Sequence, residues 1–86
     1  MTHTELQSLT DSGHDLTAKV ALAIIAAANV GPSTLEMQVD NVTLGMIART
    51  LGMETEKYRP FAYGTRYDLR LTFMEVYVLI YARVPR

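Results

Sequence analysis

Apolar positions in the first half of the chain recur at helical spacing. Leu16, Val20, Ala23 or Ile24, and Ala27 share one face of a helix, and Leu22 and Ile25 widen the stripe. Only Lys19 and Asn29 are polar in the middle of this run, so the segment Leu16 to Val30 reads as the central helix, its alanines allowing close approach of neighbours. Gly31 and Pro32 stop it. Asp15 or Ser12 is placed to cap its first turn. Upstream, Thr2 with Glu5 and Thr4 with Gln7 are capping-box pairs, which predicts a short helix over Thr4 to Thr10, ended by Asp11, Ser12 and Gly13. Ser33 with Glu36, just after Pro32, predicts another short helix over Ser33 to Val39. Thr43 then reads as the cap of a helix carrying Leu44, Ile47 and Leu51, closed by a left-handed Gly52.

The second half is less uniform. METEKYRPFAYG is open between helix and loop, because Pro60 removes a backbone hydrogen bond from any helix that contains it. From Arg66 to Phe73 polar and apolar residues alternate, a strand signal. From Thr72 onward a helix is preferred over a strand: Thr72 and Glu75 make a capping box, and Phe73, Val76, Tyr77, Ile80 and Val84 share a helical face. No Gly, Pro or Asn interrupts Leu69 to Val84, which argues against a hairpin there.

The segment Leu44 to Gly64 resembles the helix-turn-helix of phage-repressor-like DNA-binding domains. Ala48 stands where that family packs an alanine against its second helix, and Leu51, Gly52 and Met53 stand at the turn. Tyr58 and Phe61 stand at the buried recognition-helix positions, and Gly64 where that helix ends. The resemblance covers about a quarter of the chain. It implies double-stranded DNA as partner, with Thr55, Lys57, Arg59 and Tyr63 pointing outward and Arg49 and Arg66 flanking them. Arg59 would then reach a guanine edge and the others phosphate oxygens. The expected fold is all-α: one domain over residues 1–86, a compact bundle of four to six short helices with a helix-turn-helix-like pair and a possible short β segment near residues 66–73.

Charge sharpens the picture. The net charge is −1, but residues 1–56 hold two basic and seven acidic side chains and residues 57–86 six basic and two acidic. All seven aromatic rings also lie between Tyr58 and Tyr81. Tyr58, Phe61, Tyr63 and Tyr67 are interleaved with Lys57, Arg59, Arg66 and Arg70, a composition used both for stacking on single strands and for protein-interface hot spots. A second function class therefore stands beside the DNA-binding regulator: a small non-enzymatic interaction or inhibitor protein with a Tyr/Arg-rich surface. Leu71 to Val84 is more apolar than one small core can cover, which predicts a homodimer burying Val76, Val78, Leu79, Ile80 and Tyr81.

Catalytic and metal chemistry find little material. The chain has no cysteine, which removes disulfides, thiolate nucleophiles and cysteine-ligated zinc. Ser8, Asp11, Ser12, His14 and Asp15 include the residue types of a hydrolase triad, but such triads are assembled from separate elements and this run reads as a capping loop. His3 and His14 with Asp11 or Asp15 make a poor metal site, so no metal and no cofactor are expected. The longest uncharged apolar run, Val20 to Ala28, falls far short of the ~20 residues of a membrane span. Met1 to Asp15 has no secretory or transit pattern, so a cytoplasmic location is expected.

Overall fold

A computed structural model describes residues 1–61 and 64–85, without the side chains of 59–61. It holds α1 (His3–Thr10), α2 (Asp15–Val30), β1 (Ser33–Gln38), α3 (Asn41–Leu51), β2 (Glu56–Phe61), β3 (Gly64–Phe73) and β4 (Val76–Pro85). The strands form one mixed sheet in the order β1-β4-β3-β2. β4 runs parallel to β1 and antiparallel to β3, and β2 is antiparallel to β3. The fold is α/β, and the expectation of an all-α bundle is overturned.

The helical signals located three elements well. Thr2 caps α1 through the capping box with Glu5. α2 ends at Gly31, and α3 ends at Gly52 in the left-handed conformation, with φ 64°. The caps of α2 and α3 differ from those expected. His14 caps α2, its Nδ1 accepting from the Thr17 amide at 3.3 Å, and Asp40 caps α3 by accepting from the Thr43 amide at 3.0 Å. Thr43 is itself buried.

Two of three corrections share a cause, which is that period two outweighed local capping patterns, and Pro60 decides the other. In residues 33–38, Thr34, Glu36 and Gln38 are exposed while Leu35 and Met37 are half-buried against the core, so the run expected as a helix over Ser33 to Val39 is strand β1. The expected recognition helix is β2. Pro60 costs ~3 kcal/mol inside a helix but is tolerated on an edge strand, which β2 is. The helix preferred from Thr72 is β4, whose residues Val76, Val78, Ile80 and Ala82 alternate into the core. The hairpin between β3 and β4 turns at Met74 and Glu75, with Phe73 paired to Val76. Met74 supplies the positive φ (53°) that glycine or asparagine usually supplies. Holding a non-glycine residue there costs about 1 kcal/mol.

All three helices pack on one face of the sheet, where Leu69, Leu71 and Phe73 of β3 and the inward row of β4 meet Leu6, Leu9, Val20, Ile24, Leu44 and Ile47. The Met1 ammonium donates to the Thr72 carbonyl at 2.7 Å, and the His3 ring stands edge-on to Phe73 at 5.1 Å, which holds α1 over the hairpin. At Gly64 a Cβ would stand 2.2 Å from the Val84 carbonyl oxygen, so only glycine lets β3 begin this close to β4.

Candidate functional site

Among the described residues no helix lies on the other face of the sheet. Strand alternation sends a second set of side chains there: Thr34, Glu36 and Gln38 from β1, Tyr77, Leu79, Tyr81 and Arg83 from β4, Arg66, Asp68, Arg70 and Thr72 from β3, and Glu56 and Tyr58 from β2. Near its middle lies Asp68, only 1% exposed although it stands on the side away from the core. Arg66 holds it side-on, Nε to Oδ1 at 2.6 Å and Nη2 to Oδ2 at 3.2 Å. Arg70 adds a contact at 3.5 Å and lies 4.0 Å from Glu56, which in turn accepts from the Tyr58 hydroxyl.

Rings and guanidinium groups interleave across this network. The Arg66 guanidinium lies 4.3 Å from the Tyr81 ring centroid and that of Arg83 lies 5.8 Å away, so both Arg side chains pack around one ring. The hydrogen bond to Asp68 raises the pKa of Arg66 further. The hydrogen bond to Glu56 raises that of the Tyr58 phenol. Tyr77 remains 68% exposed beside half-buried Leu79, at a shallow depression edged by Thr34, Glu36, Arg70 and Thr72. Among the described residues three arginines face three carboxylates on this surface, so their charges balance.

The residues proposed for DNA are dispersed. Arg66 belongs to the open face. Lys57 lies on the helix side of β2, its Nζ 6.0 Å from the Tyr67 ring centroid. Arg49 is in the last turn of α3 and Thr55 precedes β2. Arg59 is in β2, with its side chain outside the description, and Tyr63 lies outside the described residues. Of the five positions proposed for a dimer, Val76, Val78 and Ile80 are core residues beneath the helices, while Leu79 and Tyr81 are on the open face. Sequence reasoning missed Asp68, Glu56, Glu36 and Tyr77 as parts of one surface. The signal was present in the alternation of Arg66, Asp68, Arg70 and Thr72, but it gained meaning only once β4 alternated beside it.

Among the described residues, no group of three His, Asp or Glu side chains is placed to hold a metal ion, and no helix is long and apolar enough to cross a membrane. Comparison of the chain with protein-family models, curated proteins and solved structures finds no match, and the reading of this face rests on its geometry.

Proposed function

We propose that this is a small non-enzymatic binding protein that captures another protein on the open face of its sheet. The observation that carries the reading is the Asp68 network. A buried carboxylate on the solvent-facing side fixes Arg66 in place and draws Arg70 to 3.5 Å, and Arg66 packs on Tyr81. Tyr and Arg are the residues that dominate binding hot spots, and side chains already held in one rotamer lose less entropy on binding. Tyr77 and Leu79 supply the adjoining apolar contact, and the balanced charge suits a mixed protein surface better than a run of phosphates.

The test is site-specific photo-crosslinking in cells, with a photoreactive residue at Tyr77 and, as control, at Thr4 on α1. A discrete adduct at position 77 that is absent at position 4, and lost in Tyr81→Ala and Arg66→Ala, supports the reading. Equal labelling at both positions defeats it. So does salt-sensitive binding of mixed duplex or single-stranded oligonucleotides that Arg66→Ala weakens, which would return the chain to the nucleic-acid binders.

A further inference from the structure

The two edges of the sheet are not alike. The β2 edge carries Pro60, Lys57 and a register irregularity between Tyr58 and Phe61, devices that discourage a further strand. The β1 edge has none of them: its sequence is STLEMQ, it is regular throughout, and β4 is its neighbour on one side only. The amides of Ser33 and Val39 both bond to the β4 side, to the carbonyls of Glu75 and Tyr81. Backbone groups alternate along a strand, so Thr34, Glu36 and Gln38 direct their N–H and C=O groups away from the sheet.

α2 lies behind this edge and leaves a largely apolar flank near it, broken by exposed Lys19, which pairs with Asp15 at 3.0 Å. Leu16 and Val20 share a groove with Met37 and Val39 of the β1 segment, and Lys19 and Arg83 stand at its rim. Leu16, Ala23, Ala27 and Val30 follow at helical spacing, with Leu16 48% and Val30 88% exposed. The chain turns directly from Val30 into β1, so the helix and the strand run in opposite senses side by side. From Leu16 to Val30 the helix rises about 21 Å, and from Ser33 to Val39 the strand rises about 20 Å. With the ends level, Leu35 lies about 7 Å along the strand and stands close to Ala26 of α2, between Ala23 and Ala27.

We infer that a second copy of this chain pairs with the β1 edge, antiparallel about a two-fold axis at Leu35, with α2 packing against its counterpart. The sequence is self-complementary about that axis. Leu35 meets its own copy on the helix side, Met37 faces Ser33 of the other copy, and Glu36 faces Thr34 on the open side. Centring the axis on Glu36 instead sets two carboxylates directly opposite, which disfavours that register. On α2 the same axis sets Ala23 of each copy close to Ala27 of the other, small against small, which lets the two helices approach closely. Antiparallel helix dipoles add to this. The product is one eight-stranded sheet whose two open faces lie on the same side. The pairing does not depend on the proposed partner of that face, and Tyr81→Ala should leave it unchanged.

Light scattering of the full chain at about 50 µM should give twice the chain mass. Because the chain has no cysteine, Leu35→Cys should cross-link to its own copy under mild oxidation about tenfold faster than Glu36→Cys, since only position 35 faces itself across a non-hydrogen-bonded pair of suitable Cα separation. Glu36→Pro removes only an outward N–H, so it should give a monomer with an unchanged circular dichroism spectrum. Ala23→Glu, which sets a carboxylate of each copy into the helix contact near the axis, should do the same. A monomeric mass for the unaltered chain overturns the inference. So does a dimer that survives Glu36→Pro and Ala23→Glu, or one in which the Leu35→Cys and Glu36→Cys variants cross-link at equal rates.

Discussion

The two faces of the sheet are built by the same strands in the same alternation, yet they solve different problems. On the helix side, Val76, Val78, Ile80, Leu69, Leu71 and Phe73 lock the sheet to three helices by apolar burial. On the other side, Asp68 reaches a comparable degree of burial with no helix above it, covered by Arg66, Arg70 and Tyr81. The first arrangement is sealed and fixes the fold. The second is ordered and still accessible, as a recognition surface needs to be. The difference shows that order on a solvent-facing sheet can come from a charged network, provided its central carboxylate is fully partnered.

Substitutions on the two faces test that contrast. Ile80→Ala, in the core row of β4, should lower unfolding free energy by about 4 kcal/mol in urea titration, whereas Leu79→Ala on the opposite face should cost under about 1 kcal/mol. Equal losses would mean that the open face is covered as well. Arg66→Met leaves Asp68 buried without its closest partner and should cost about 3 kcal/mol, with much of the loss recovered in the double variant Arg66→Met, Asp68→Leu. An additive double variant would show that the pair does not act as a unit. Met74→Gly, which relieves the positive φ at the turn joining β3 and β4, should raise stability by up to about 1 kcal/mol, read as a small rise in Tm. Tyr77→Ser should change stability by no more than about 0.5 kcal/mol while abolishing a partner crosslink formed from a photoreactive residue at neighbouring Thr34, which separates binding from folding on the open face. The smallest effect belongs to the helix side and to acid. Asp40 has its pKa lowered by its hydrogen bonds to Thr43, so its contribution is present above the ordinary carboxyl value of 3.8 and is lost as pH falls through the lower folded value. Asp40→Asn should accordingly flatten the acid limb of a Tm-against-pH curve.

The sequence was informative where one signal acted alone. α2 is apolar over four turns and ends at Gly31 and Pro32, and no competing period disturbs it. Thr2 with Glu5 and the left-handed Gly52 were legible for the same reason. Where capping patterns and alternation overlapped, the choice lay outside the local sequence. Ser33 with Glu36 and Thr72 with Glu75 both imitate a helix start, but β1 and β4 pair with each other, and that mutual pairing is a long-range fact. The turn at Met74 was hidden because its residue lacks the glycine that marks such turns. The aromatic and basic cluster was visible as composition. Its division between a core side, with Tyr67, and an open side, with Tyr58, Arg66 and Arg70, required the strand register.

The position of β4 has a consequence for the order of assembly. β4 lies between β1 and β3, yet it is the last element in the chain, and its contact with β1 joins residues about forty positions apart. The hairpin with β3 closes over two residues and forms on a local timescale, while β1 has to wait for a long loop to close before it gains its neighbour. During that wait the whole of β1 is an unpaired strand following an apolar helix, with the hydrogen-bonding groups of both its edges unused. The rate at which β4 docks on β1 therefore governs how long the nascent fold is open to mispairing, and any change that slows this step should appear first as aggregation during refolding.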